Sequence, residues 1–336
     1  MNVNTKYQDG TLLITKSEVS GFLSIKECML AVENAFRMHA EGKAPPPKLL
    51  AIHVKDGGFH IKAGVMDTGH EYFVAKTNAN FPSNPKNHDL PTIQGVIVIC
   101  DAVNGRLLAL VDSMEVTIIR TGAATGVAAK YLSRTDSKIA TICGCGNQGR
   151  ISLKAILAVR NLAQVYAYDI DPIVQHAFVN ELSKELNLPL LPVTDLGLAV
   201  RRSDICVTCT PSKKAFLKKA DVKPGTFIAA VGADSEGKQE IEPALLASGK
   251  LVVDLLEQSA TIGDLHHALE LGLLTRADVH AELGEIIAGL KPGRTSDEEI
   301  IIFDSTGTAL QDVAATAMVY EKALASGFER KLKFSL

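Results

Sequence analysis

The stretch that decides the fold is Ile139-Ala140-Thr141-Ile142-Cys143-Gly144-Cys145-Gly146-Asn147-Gln148-Gly149. An apolar run of five enters a G-x-G-x-x-G turn, and Arg150 to Val159 continues in a helical pattern. A strand, a tight turn built on glycine, and a helix whose first N–H groups are unpaired together make a cradle for a pyrophosphate. The spacing alone is a weak signal, and its surroundings strengthen it. Val165-Tyr166-Ala167-Tyr168 reads as a second strand ending in Asp169, twenty positions beyond Gly149, where an acid meets an adenosine ribose 2′-OH. Gly144, Gly146, Asn147, Gln148, Gly149 and Asp169 are therefore candidate dinucleotide contacts. Asp171 adds a second carboxylate with no neighbouring arginine, so a 2′-phosphate is repelled and NAD is expected ahead of NADP.

From the strand that enters this turn onward, the chain alternates apolar strands with helices. Strands are expected over 138–143, 164–168, 188–191, 204–210, 226–231 and 250–254, the βα alternation of a doubly wound parallel sheet. The preceding part reads differently. After a short strand at 12–15, Ser24 and Glu27 form a capping box that opens an amphipathic helix through Phe36 to Gly42. Pro45-Pro46-Pro47 breaks the chain, strands follow over 48–54, 58–63 and 72–78, and 96–100 with 107–111 flank Asn104-Gly105 as a hairpin. A small-residue helix over 114–132 leads into the nucleotide region, and a last helix from Ala309 to Ser326 returns the chain to the first layer. The expected class is α/β, a Rossmann doubly wound parallel sheet over 121–304 plus a smaller α+β domain of helix and antiparallel sheet from 1–120 with 305–336.

A chain of 336 residues that is 46% hydrophobic and 22% charged is long enough and apolar enough to bury two cores. Its formal charge of -3 and the absence of a Lys/Arg run exclude a nucleic-acid track. Met1 to Gly10 is polar, with no apolar leader, and the apolar segments are interrupted before membrane-spanning length, so no membrane partner is expected and the cytoplasm is the expected location. The six cysteines lie in apolar runs or in the glycine turn, as reduced, mostly buried thiols do. Cys206-Val207-Thr208-Cys209 has the C-x-x-C form, but positions three apart on a strand face opposite ways. Adjacent helical residues such as His266 and His267 are expected to diverge, and no metal is assigned.

Nicotinamide exchanges hydride and little else, so a protein that binds it supplies substrate anchors and a proton-transfer group. Lys62, Lys76 and Arg120 each interrupt apolar surroundings, and several cations at one pocket imply an anionic substrate. Arg120, between Ile118-Ile119 and a small-residue helix, offers a planar fork for a carboxylate. Asp234 follows the strand 226–231, and in doubly wound sheets the ligand crevice lies at the carboxyl ends of strands. It is the candidate acid–base group, able to exchange a proton with an ammonium or a water.

Taken together, Arg120-Thr121-Gly122-Ala123-Ala124, the glycine turn, Gly232-Ala233-Asp234 with Gly237-Lys238, and Phe303-Asp304-Ser305-Thr306-Gly307 with Gln311-Asp312 resemble the ornithine cyclodeaminase/mu-crystallin family. The resemblance runs from about Leu12 nearly to the C-terminus. It implies a homodimer whose first domain supplies dimerisation and substrate contacts, beside a Rossmann domain for NAD(H) or NADP(H). It also implies that Lys76 and Arg120 meet a substrate carboxylate, that Asp234 handles protons with Lys76 as a second catalytic group, that Thr92 lines the pocket and that Thr121 meets the cofactor. Gly237-Lys238-Gln239-Glu240 is similar to the alanine dehydrogenase branch. There is one departure: many members carry an arginine before an Ala-Met-Pro segment, where this chain has His60-Ile61-Lys62-Ala63-Gly64, and Lys62 stands in for that contact. The expected activity is interconversion of a small α-amino acid and its imino or keto acid. The family also contains ornithine cyclodeaminases and a non-catalytic binder of cofactor and ligand, and these alternatives stay open at this point.

Overall fold

A computed structural model describes residues 10–334; the expectation drawn from the polar N-terminus falls almost wholly outside them. Strands β1 (Thr11–Ile14), β2 (Lys48–Val54), β3 (Gly57–Asp67), β4 (Glu71–Asn80), β5 (Ile93–Asp101) and β6 (Leu107–Asp112) form one sheet in the order β1-β6-β5-β4-β3-β2. Gly105, at φ +77°, makes the β5–β6 turn that the Asn-Gly pair predicts. The sheet is not purely antiparallel as expected, because β1 runs parallel to β6. No hairpin joins those two strands: the helices Lys16–Phe22 and Ile25–Ala40 carry the chain to β2 at the far edge, and β2 to β5 lead back to β6, a long connection of the kind parallel pairing needs.

The side-chain alternation in β3 and β4 decides where the site can lie. Lys62 stands opposite Lys76, and His60 opposite Asn78, on the face that also carries the buried Met66 and Val74. The helix Ala309–Ala325 covers this face, so close that a Cβ on Gly64 would touch Ala309 and Val313 at 3.5 Å. The opposite face of the same sheet carries Leu50, Ile52, Phe59 and Val96, all at least 36% exposed.

Strands β7 (Ile139–Cys143), β8 (Gln164–Tyr168), β9 (Leu190–Pro192), β10 (Ile205–Thr208), β11 (Lys213–Leu217), β12 (Phe227–Ala230), β13 (Gln239–Ile241), β14 (Lys250–Val253), β15 (Ala281–Glu282) and β16 (Ile301–Asp304) follow. Eight of them make a wholly parallel sheet in the order β15-β14-β16-β12-β10-β7-β8-β9, while β11 and β13 pair separately. The winding direction reverses between β7 and β10, and such a switch point opens a crevice at the carboxyl ends of the strands. A final strand, β17 (Lys331–Leu332), returns to the edge of the first sheet beside β1.

One helix joins the layers. Ser113–Leu132 is capped by Asp112, whose carboxylate accepts the Met114 N–H at 2.9 Å. Its small residues let the helix Asn147–Leu157 approach closely: a Cβ on Gly122 would lie 2.7 Å from Ile151, and one on Gly126 would lie 2.9 Å from Ala155. The six cysteines are unpaired, and Cys209 lies beyond the end of β10. Among the described residues no helix is long and apolar enough to cross a membrane.

Candidate active site

The glycine turn closes the carboxyl end of β7 as its sequence requires. Gly144 sits at φ +100° with the Cys209 carbonyl only 2.8 Å from where a Cβ would be, and a Cβ on Gly149 would fall 2.1 Å from the Gly144 carbonyl. Gly146, by contrast, caps the helix Asn147–Leu157 with nothing within 4 Å of a Cβ position, leaving open space over the first helical N–H groups. A cavity of about 740 Å³ extends from the turn and is lined by Gly144, Gly146, Asp169, Ile170, Thr210 and Phe216. An open glycine at a helix N-terminus, an apolar recess and a carboxylate at its rim fit a dinucleotide. Asp169 has a further duty that spacing does not reveal. Its two oxygens accept the Cys145 N–H at 2.8 Å and the Asp171 N–H at 3.0 Å, so it also braces the turn. In the first helical turn, Gln148 Oε1 is buried without a protein partner, and Asn147 is exposed.

Across the crevice, β3, β4 and the helix Ser113–Leu132 bring together the three expected cations. Lys76 Nζ lies 2.7 Å from Asp312 Oδ1, and Arg120 Nε lies 3.0 Å from the same oxygen. Arg120 Nη1 donates to Gln311 Oε1 at 2.7 Å. The guanidinium covers Gly307, which has φ +72° and would place a Cβ 2.4 Å from Arg120 Nη1. Lys62 does not snorkel to water. It is buried, and its Nζ donates to the carbonyls of Thr306, at 3.0 Å, and Gly307. Behind that turn Asp254 accepts the Gly307 N–H at 2.7 Å and the Thr306 hydroxyl at 2.8 Å.

Charge at these groups follows from burial and company. Burial pushes Lys76 down to about 7, with Arg120 adding to the effect and Asp312 opposing it. Burial and Arg120 also lower Lys62. Burial works to raise Asp312, yet Lys76 and Arg120 hold it below the usual carboxylate range. Asp234 accepts from Lys238 Nζ at 2.6 Å. Burial opposes its ionisation, but Lys238 and Lys62 outweigh that and hold it down to about 2. His60, near Asp234 and Lys62, is lowered by burial.

A buried carboxylate chain fixes the loops around Asp234. Glu240 accepts from the Thr208 hydroxyl at 2.7 Å, the Thr210 N–H at 2.6 Å and the Gly232 N–H at 2.8 Å, tying the ends of β10 and β12 together. Asp264 accepts the Glu240 N–H at 2.9 Å, and Asp304 accepts the Leu265 N–H at 2.9 Å. The sequence pattern assigned no role to Lys238, Glu240, Gln311 and Asp312. Asp312 carried a readable signal, an acid next to Gln311 within a helix otherwise rich in Ala, Val and Leu over 309–319.

Thr92 precedes β5, and its carbonyl accepts the Phe81 N–H at 2.8 Å. One expectation is corrected. His266 and His267 do not diverge: their rings lie 5.1 Å apart, both within reach of Glu270, because the His267 Nε2 contact with the Lys238 carbonyl at 2.9 Å turns that ring back along the helix. Thr121, next to Arg120, is buried, with its carbonyl accepting the Thr125 hydroxyl at 3.1 Å.

A switch-point crevice with a glycine turn at a helix N-terminus defines a dinucleotide-dependent enzyme. The profile of the ornithine cyclodeaminase/mu-crystallin family matches residues 10–327, and the chain belongs to that family. An archaeal alanine dehydrogenase, solved as a dimer with bound NAD, is 40% identical, with 97% of this chain and 99% of that one covered and a TM-score of 0.92. The Thermococcus litoralis Δ1-pyrroline-2-carboxylate reductase, solved with NADH and L-proline, is 34% identical over 94% and 98%, with a TM-score of 0.90. The Paracoccus denitrificans iminosuccinate reductase, solved with NAD+, is 32% identical over 97% and 100%, with a TM-score of 0.88.

Proposed function

We infer that this chain is an NAD(H)-dependent oxidoreductase interconverting an α-amino acid with its imino or keto acid. The observation that carries the reading is the pairing of two walls, a glycine turn with its recess on one side and Arg120 with Lys76 on the other. The three related structures, all amino- or imino-acid oxidoreductases by name and all solved with NAD or NADH, support it. NAD is favoured over NADP because Asp169 and Asp171 stand at the rim of the recess.

When bound, the nicotinamide supplies hydride exchange at the substrate α-carbon. Arg120 and Lys76 hold the α-carboxylate, and Asp312 keeps the two cations in register before substrate arrives. Asp234, ionised throughout the physiological range, faces the substrate nitrogen, stabilises its positive charge and takes up its proton. Lys238 steadies that carboxylate, and Glu240 fixes the loop carrying it. Replacing Asp234 with Asn is expected to reduce turnover by about 10²–10⁴-fold, the scale of one proton-transfer group. NADH affinity, read by fluorescence titration, is expected to stay unchanged; wild-type turnover in the variant would sink the assignment.

We assign substrate binding and dimerisation to 1–120 with 305–336, and dinucleotide binding to 121–304. The helix Ser113–Leu132 passes through that boundary without a break. The partner is a second copy of the chain, docked on the open apolar face of β2 to β5. Its supports are the exposed Leu50, Ile52, Phe59 and Val96 and the dimeric state of the archaeal relative.

A further inference from the structure

The cation cluster holds more positive charge than one carboxylate uses. Lys76 and Arg120 pair with one acid, Asp312, and Lys238 pairs with another, Asp234, which Lys62 meets only at longer range. Lys62 has no carboxylate within ion-pair distance among the described residues, and its contacts are two carbonyl oxygens. The nearest further acid, Asp254, lies behind the Thr306–Gly307 turn with its oxygens occupied by Thr306, Gly307 and Leu255, and burial pushes it toward the neutral form. Lys62 also stands directly across from Lys76, a like-charge pairing that destabilises a sheet unless an anion relieves it.

A second observation comes from the adjoining strip of the same wall. Asn78 Oδ1, Ser113 Oγ and Thr117 Oγ1 are buried without hydrogen-bond partners among the described residues. Asn78 and Ser113 flank Gly95, where a Cβ would fall 2.3 Å from Asn78 Oδ1 and 2.7 Å from Ser113 Oγ, so this glycine keeps the two polar groups together. Ser113, Thr117 and Arg120 follow one another along one helix at spacings of four and three residues, which places them on one face. Beside the α-carboxylate clamp there is thus a buried lysine amine with no ion-pair partner among the described residues, next to a row of unused hydrogen-bonding groups.

Resting on the activity inferred above, the geometry points to a distal-carboxylate subsite headed by Lys62, making the substrate a short dicarboxylic imino or amino acid. Residues directly opposite on neighbouring strands start about 5 Å apart, so the carboxylates held by Lys62 and by Lys76 with Arg120 belong to one small molecule. In the reductive direction the C=N carbon of the iminodicarboxylate accepts hydride and its nitrogen accepts a proton. The products are the amino dicarboxylate and oxidised nicotinamide.

The test compares one and two carboxylates. NADH-loaded protein is titrated calorimetrically with succinate and with propionate, and NADH consumption is followed with oxaloacetate or pyruvate, each with ammonium. Succinate is expected to bind more tightly than propionate by on the order of 100-fold, with oxaloacetate favoured over pyruvate in kcat/KM to a similar degree, because a site built for a polar group rejects the analogue lacking it. Lys62→Met should collapse both ratios toward one, and Lys62→Arg should restore part of each. Equal binding of succinate and propionate, or a Lys62→Met variant that weakens both by the same factor, overturns the subsite. Should pyruvate be reduced with no preference for the dicarboxylate, the subsite fails and the oxidoreductase reading stands. Should no keto acid consume NADH while Lys62-dependent succinate selectivity persists, the oxidoreductase reading fails and the subsite stands.

Discussion

Lys76 is the residue whose charge is most easily moved. Its ordinary value of 10.5 is depressed to about 7, so its ammonium is present below that value and is lost as pH rises through it. Affinity of the NADH-loaded protein for a simple carboxylate such as propionate is therefore expected to fall as pH rises past about 7. Lys76→Arg, which stays charged, should flatten the dependence; an unaltered profile would remove Lys76 from the carboxylate clamp. The same depression has a stability consequence of opposite sign. Between about 7 and 10.5 the unfolded chain binds a proton at Lys76 that the folded chain does not, so this group favours folding increasingly as pH rises across that window. Lys62, Lys76, Arg120 and Asp234 were legible in the sequence because each breaks an apolar or glycine-rich stretch. Their partners were not, since Asp312 meets Lys76 across 236 positions and no local pattern encodes such a distance.

At the scale of elements, the turn after β16 is the most constrained piece of the site. Gly307 combines a left-handed backbone with direct cover by Arg120, so Gly307→Ala carries about 1–2 kcal/mol of backbone cost and also displaces the guanidinium. The expected outcome is a raised KM for the substrate with NADH affinity retained. Unchanged kinetics with full activity would show that the turn does not hold Arg120 in place. Long elements were readable: the β7 turn, the hairpin at Gly105 and the helices Ile25–Ala40 and Ala309–Ala325 each combine periodicity with a cap or a breaker. The unread ones are short. β15 and β17 have two residues each and β13 has three, too few for a side-chain period to declare itself, while β11, Lys213–Leu217, lacks an apolar alternation altogether. The parallel pairing of β1 with β6 was missed for a related reason, because direction is set by the crossover and not by either strand's own residues.

For the whole molecule, the open face of β2 to β5 carries the assembly prediction. Leu50 and Ile52 lie across from Ile61 and Phe59 on this face, on the other side of the sheet from Lys62 and Lys76. A charged replacement there, Ile52→Glu, is expected to convert dimer to monomer in light scattering coupled to gel filtration, while the thermal melt still shows a folded chain. A dimer of undiminished stability would move the interface elsewhere. The helix Ser113–Leu132 ties this first layer to the parallel-sheet layer, with Arg120 in its middle and Gly122 and Gly126 pressed against the helix that Gly146 caps. It acts as a fixed ruler between the two. Because the helix behind the cradle is pressed against the helix that carries Arg120, a single residue added between Arg120 and Gly122 would swing Arg120 by about 100° and turn the buried Val116 and Ile119 out of the first core with it, so the reach from one layer to the other is set by the register of one helix.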